Sequence, residues 1–256
     1  MIRRTIIIAN LLAPLIALAL WGYGNFWLGL ALLFVAHLSA LVATLIPGCA
    51  WWGPLLSRVA PSGKSIWLTI DDGPDPDDTP AILEILRAHG AKATFFLIGE
   101  RAERWPDLVR AIEADGHGIG NHTMTHPKFS FWCLGATRVR AEIAGAQDVL
   151  AGITGTRPQL FRAPAGMRNL FVHPILRELD LRLTAWSVRG RDGVSLDRDA
   201  IVARLDRGIE AGAIVLMHEA MRDDDGRSII VDTLPRVLDS ISSRGLNACL
   251  PALEER

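Results

Sequence analysis

The sequence predicts an α/β protein: about seven βα units around a parallel sheet, preceded by an N-terminal transmembrane helical hairpin. Three observations predict it. Short apolar runs alternate with amphipathic stretches from Ser65 onward, which implies a parallel sheet covered by helices, either open or closed into a barrel. The polar residues that could carry chemistry fall just past the apolar runs, where barrels place their active sites. The stretch from Thr5 to Pro47 contains no Asp, Glu, Lys or Arg, the pattern of a membrane segment.

The hairpin comes first. Met1-Ile2-Arg3-Arg4 is basic, and Ile6 to Leu20 is apolar apart from Asn10, with Pro14 in its middle. Trp21-Gly22-Tyr23-Gly24-Asn25-Phe26-Trp27 reads as a tight turn at headgroup level, and Leu28 to Ile46 is apolar again. A bilayer core needs roughly 20 helical residues per crossing, so Ile6–Ile46 is too long for one span and suits two. Residues 1–48 are therefore read as a membrane anchor, 49–63 as a connector punctuated by Gly53, Pro54 and Pro61, and 64–256 as the soluble domain. Arg3 and Arg4 precede the first span, and Arg58 and Lys64 follow the second. The positive-inside rule then puts the domain on the cytoplasmic face of the cell membrane. A cleaved signal peptide ending near Ala17-Leu18-Ala19 is the rival, and it would leave Leu28–Ile46 as a stop-transfer helix. His37, alone in its span, reads as a packing group rather than a proton site.

The soluble elements follow in order. Strands are predicted at Ile66–Ile70, Ala93–Leu97, Gly118–Asn121, Leu160–Arg162, Leu183–Trp186, Ala213–Met217 and Leu246–Cys249. Helices are predicted at Thr79–Gly90, Trp105–Ala114, Leu134–Leu150, His173–Leu179, Arg198–Ile209 and Ile230–Ser243. A formal net charge of −1 and the lack of a basic stripe give no sign of a nucleic-acid partner. Cys49, Cys133 and Cys249 have neither metal spacing nor the even count of a disulfide framework.

One strand ends in Asp71-Asp72-Gly73-Pro74, and His122-Thr123-Met124-Thr125-His126 follows downstream. Asp72, His122 and His126 offer two nitrogens and one oxygen to a divalent metal. Three protein ligands leave a position open for water, the mark of a catalytic site. The spacing of four would put both histidines on one side of a helical turn. Asp71 is then placed to take a proton from the water, or else caps the turn at Gly73-Pro74.

These residues resemble the polysaccharide deacetylase family, the NodB-homology domain of carbohydrate esterase family four. Thr69-Ile70-Asp71-Asp72-Gly73-Pro74 resembles its first motif, and Gly116-His117-x-Ile119-Gly120-Asn121-His122-Thr123-x-x-His126 its second. Arg162-Ala163-Pro164-Ala165-Gly166 resembles the third, Trp186-Ser187-Val188-Arg189-Gly190-Arg191-Asp192 a divergent fourth, and Ile214-Val215-Leu216-Met217-His218 the fifth. The resemblance spans nearly all of 64–256 and none of the hairpin. It implies a distorted (β/α) barrel with fewer than eight units. It also implies a metal held by Asp72, His122 and His126, with Asp71 as general base. Zinc is the expected ion, with cobalt or nickel also suited to this donor set. The resemblance further implies that Arg162 keeps Asp71 charged and that His218 is the general acid, oriented by Asp192. Leu216 would line the acyl pocket, and the backbone near Ala165 would face the oxyanion.

The implied activity is metal-dependent hydrolysis of the N-acyl group, acetyl first, of an N-acylated carbohydrate or glycolipid. Alternatives are O-acetyl ester hydrolysis and a silent sugar-binding module on a membrane anchor. A non-haem iron oxygenase is disfavoured, because an acid–base pair beside the metal serves hydrolysis. The chain departs from the family at Ala165, where an aromatic is common, and at Arg189 and Gly193, where an acid and a tryptophan are common. Two sugar-stacking rings are thereby lost. Arg168, Arg189 and Arg191 are expected to add positive charge at the mouth, which suits an anionic or lipid-linked amino sugar.

Overall fold

The computed structural model describes residues 1–60 and 63–252; Pro61, expected to punctuate the connector, lies outside them. Two helices open the chain, α1 (Ile2–Gly22) and α2 (Phe26–Leu45), and both are long and apolar enough to cross a membrane. They pack through small residues: Ala13, Ala17, Ala36 and Ala43 are buried, while Leu11, Leu15, Phe34 and Val35 face outward. A Cβ at Gly29 would lie 2.5 Å from the Trp21 ring nitrogen, so glycine there sets how closely the helices approach. Asn10 donates across the pair to Ala36 O at 2.9 Å. His37 Nδ1 lies 2.7 Å from Leu33 O of its own helix, as a packing group would.

The soluble part is a curled, incomplete parallel barrel. Its strands are β1 (Ser65–Gly73), β2 (Ala93–Leu97), β3 (Gly118–Asn121), β4 (Leu160–Phe161), β5 (Arg182–Leu183), β6 (Val188–Arg189), β7 (Ile214–His218) and β8 (Asn247–Ala248). They run in the order β5-β4-β3-β2-β1-β7-β6, with β8 paired to the start of β1. Helices α3 (Asp78–Ala88), α4 (Gly99–Arg104), α5 (Pro106–Ala114), α6 (Ala136–Thr154), α7 (Val172–Glu178), α8 (Arg198–Asp206) and α9 (Ile229–Ser243) link them.

Strand alternation divides the core. Ile66, Leu68 and Ile70 of β1 join Phe95, Leu97, Val215 and Met217 in the layer packed against helices. Trp67 instead joins Phe96, Leu160 and Ile214 inside the barrel, with Trp186 beside them. Local signals set the helix ends. Pro106 starts α5, Asp197 and Ser228 cap α8 and α9, and Gly155 ends α6 with φ +73°.

The connector is part of the barrel rather than a free linker. Leu56 N–H donates to Leu183 O and Leu56 O accepts from Ala185, while Val59 N–H donates to Gly212 O. This segment therefore links β5 to the chain entering β7. The end of α2 is also tied to the domain. Arg168 donates from its backbone to Thr44 O at 3.0 Å, and from its guanidinium to Pro47 O at 3.0 Å and to Cys49 O.

Candidate active site

Adjacent residues of a regular strand point to opposite faces, so Asp71 and Asp72 would not share a site. The register of β1 slips between Asp71 and Gly73, and Asp72 adopts φ +73°. This bulge takes Asp72 out of the alternation and aims both carboxylates at one place. Asp71 pairs in register with His218 of β7 on one side and Phe96 of β2 on the other.

His122 follows β3, where its N–H donates to Leu97 O. The helical turn expected for the histidine pair is absent. The chain from His122 to His126 is irregular, with φ +72° at Thr123 and +52° at His126. Asn121 Oδ1 accepts from Thr123 N–H at 2.9 Å, and Thr123 Oγ1 accepts from His126 N–H at 3.1 Å. Short polar side chains have taken the backbone groups a helix would use. The loop still brings the two rings to a centroid separation of 4.8 Å.

Asp72 Oδ1 lies 3.2 Å from His126 Nε2 and 3.4 Å from His122 Nε2. That oxygen is buried and has no hydrogen bond. A buried carboxylate oxygen left without a donor and facing two imidazole nitrogens is what a cation site requires. His122 Nδ1 lies 2.8 Å from Arg162 O. A carbonyl only accepts, so Nδ1 carries the proton and Nε2 keeps its lone pair for the site. Burial alone would raise the Asp72 carboxyl, but the neighbouring His122, then His218 and His126, hold it well below the carboxylate range. Burial first, and then the nearness of the second imidazole, push His126 down to about 4, against the pull of Asp72. A charged carboxylate and a neutral imidazole are the forms that bind metal. The residues present therefore fit a divalent ion.

Arg162 is fully buried, and donates to Asp71 Oδ1 at 2.6 Å, Thr69 Oγ1 at 2.9 Å and Ala185 O at 2.9 Å. Its guanidinium lies 4.1 Å from the centre of the Phe96 ring. Phe96 in turn rests on Gly120, where a Cβ would come within 2.6 Å of the ring. The other Asp71 oxygen stays free and lies 3.7 Å from His122 Nε2. Asp71 thus has one oxygen held by Arg162 and one facing His122.

Asp192 is buried, accepting from His218 N–H at 2.6 Å through Oδ2 and holding His218 Nδ1 at 3.1 Å through Oδ1. Burial alone would lower the ring, but Asp192, with Asp71 and Asp72 behind it, raises His218 to about 9. The ring is therefore protonated at neutral pH, with Nε2 as its second N–H. Leu216 sits two residues earlier on the same strand face, 2% exposed and in register with Thr69. Ala165 lies exposed in a tight turn with φ +51°. Gly193 lies against His218, where a Cβ would meet the ring at 3.3 Å. Asp71, Asp72, His122, His126, Arg162, His218 and Asp192 are thus linked by contacts at one end of the strands.

Arg168 differs from expectation. It is 1% exposed and spends its donors on Pro47, Cys49 and Gly166 carbonyls, so it adds no charge at the mouth. Arg189 and Arg191 are exposed. Two acids were not singled out in the sequence. Glu142 of α6 is buried and accepts from Thr125 N–H at 2.9 Å and Thr125 Oγ1 at 2.8 Å, bracing the histidine loop. An acid on the stripe formed by Val139, Ile143 and Ala146 was the available signal. Glu219 is buried behind His218 and accepts from Thr79 Oγ1 at 2.6 Å. Burial, with Asp78 and Asp75 adding, pushes it up to about 8 despite that hydrogen bond.

The profile of the family described as polysaccharide deacetylase matches residues 58–184. A chitooligosaccharide deacetylase of Azorhizobium caulinodans is 34% identical over 74% of this chain and 93% of its own length. The chain belongs to the polysaccharide deacetylase family. Within it, a peptidoglycan-N-acetylglucosamine deacetylase of Bacillus cereus is 35% identical over 71% of this chain and 84% of its own. A crystal structure from Bacillus anthracis superposes with TM-score 0.67 at 27% identity, covering 76% of this chain and 66% of that one; it is described as a carbohydrate esterase family four pseudoenzyme. The fold alone therefore does not carry activity, and in this chain the Asp72, His122 and His126 cluster stands together with Asp71 and the His218–Asp192 pair.

Proposed function

We propose that this chain is a metal-dependent deacetylase that removes an N-acyl group, acetyl first, from an amino sugar of a polysaccharide or glycolipid. One observation carries the proposal: a fit metal triad, a carboxylate with one free oxygen and a carboxylate-paired imidazole meet at the same strand ends. Asp72, His122 and His126 would hold the metal, with zinc the preferred reading. A zinc ion there would polarise the amide carbonyl and lower the pKa of water from about 16 to about 7.

The chain's own groups do the rest. Arg162 supplies the countercharge that a buried Asp71 carboxylate needs and fixes its free oxygen toward the attacking water. Asp71 takes the proton as the water adds to the amide carbon. A backbone N–H near Ala165 stabilises the developing oxyanion. His218 gives its Nε2 proton to the departing nitrogen as the C–N bond breaks, and Asp192 holds the ring in place by Nδ1. Leu216 shapes the space beside the acyl methyl group. The products are a carboxylate, acetate in the first case, and a free amine.

Two variants test this. Asp71→Asn is expected to bind metal normally and lose about 100- to 10,000-fold in turnover. Asp72→Ala is expected to lose both metal and turnover. Full turnover by Asp71→Asn would remove the base assignment.

The same reading makes residues 1–48 a membrane anchor with the domain on the cytoplasmic face. Arg3 donates to Leu170 O at 3.1 Å, which supports a basic N-terminus and a domain on the same side of the hairpin. Cys133 is an exposed free thiol. A membrane-impermeant maleimide added to intact cells should leave it unlabelled and label it after lysis. Labelling in intact cells would place the domain outside.

A further inference from the structure

Two loops of the site touch the end of the second membrane helix. The third-motif turn abuts Pro47, since a Cβ at Gly166, whose φ is +70°, would lie 2.6 Å from the Pro47 ring. Arg168, two residues on, is tied to Thr44, Pro47 and Cys49. The loop that begins at His126 also approaches α2. It carries Phe129, 83% exposed, and the half-buried Trp132, whose indole N–H donates to Phe129 O at 3.1 Å. Trp132 and the face of α2 formed by Phe34, His37, Leu38, Leu41 and Thr44 enclose an open, mainly apolar groove of about 460 Å³.

This groove has one wall from a helix apolar enough to lie in a bilayer and one from the loop that supplies a metal ligand. It continues the hairpin–domain interface already formed by Thr44, Arg168 and Pro47. A free oligosaccharide has no use for such a wall. An amino sugar on a long hydrocarbon chain does, because burying each methylene gains about 0.8 kcal/mol.

We propose that the α2–Trp132 groove binds the hydrocarbon chain of a lipid-linked N-acyl amino sugar and presents its acyl group to the metal triad. This rests on the deacetylase reading above and names the substrate class for it.

The test uses the full chain in lipid nanodiscs with zinc, and two glycosides of N-acetylglucosamine, one methyl and one dodecyl. The dodecyl glycoside is expected to show a kcat/KM at least about tenfold higher, the equivalent of two or so buried methylenes. Trp132→Ala is expected to shrink that ratio several-fold; using a ratio corrects for any loss of folded enzyme. A dodecyl glycoside bearing a diazirine in its chain should label residues 34–44 and the peptide containing Trp132. Equal rates on both glycosides, a ratio unmoved by Trp132→Ala, or labelling elsewhere on the domain would each overturn the groove. Hydrolysis of neither glycoside would count against the deacetylase reading instead, and the labelling pattern would still decide the groove.

Discussion

The barrel and the hairpin are both rich in apolar residues, yet they are built inside out from one another. The barrel fully buries large side chains such as Trp67, Phe95, Phe96 and Phe161, and pairs its buried Arg162 with Asp71. The hairpin buries alanines and turns Leu11, Leu15 and Phe34 outward. Water drives the first arrangement, because apolar area gains by leaving it. The second fits a lipid surround, in which close packing of small residues is what holds helices together. The barrel uses burial to build a low-dielectric site, whereas the hairpin is tied to it at its end through Arg168.

That contrast can be broken at several points. Phe96→Ala should cost the barrel about 3–5 kcal/mol, read as a lower denaturation midpoint, and should also loosen Arg162, which stacks on that ring. Arg162→Met should destabilise by a similar amount, about 3–5 kcal/mol, because Asp71 is left buried without its partner. The hairpin should respond in the opposite sense. Gly29→Leu, which adds bulk where a Cβ already meets Trp21, should cost about 1–3 kcal/mol. Leu15→Ala, which trims an outward side chain, should leave thermal stability in nanodiscs nearly unchanged. A large loss from Leu15→Ala would show that the hairpin packs like a soluble core.

The His218–Asp192 pair sharpens the contrast through pH. The ring is raised from 6.5 to about 9. Its stabilisation is therefore fully present below pH 6.5 and is lost as pH rises through 9. Activity that needs the protonated ring should fall over the same alkaline range. Asp192→Asn should move that alkaline limb to lower pH in kcat profiles. An unchanged limb would mean that another group sets it.

Much of the barrel was legible in the sequence. The strands at 93–97 and 118–121 match the predicted limits, because short apolar runs bounded by glycine or charge leave little choice. Helix α4 was missed: it has six residues and buries only Gly99 and Ala102, too little for a period to show. Strand β6 has two residues, and only its pairing with β7 defines it. The site residues were legible as types and spacings, but their geometry was not. Asp71 and Asp72 converge through a bulge, and His122 and His126 through left-handed residues, neither of which periodicity reveals. Arg168 was misplaced because its partners, Pro47 and Cys49, lie more than a hundred positions away in the chain. Long-range ties of that kind leave no local mark.

The most direct test is a zinc titration of the metal-stripped full chain on an N-acetylated amino-sugar glycoside, following acetate and free amine together. Equal release of the two, rising with zinc to a plateau at one ion per chain and absent in Asp72→Ala, is the predicted result. Turnover that ignores zinc, or no turnover when the triad is loaded, would contradict it.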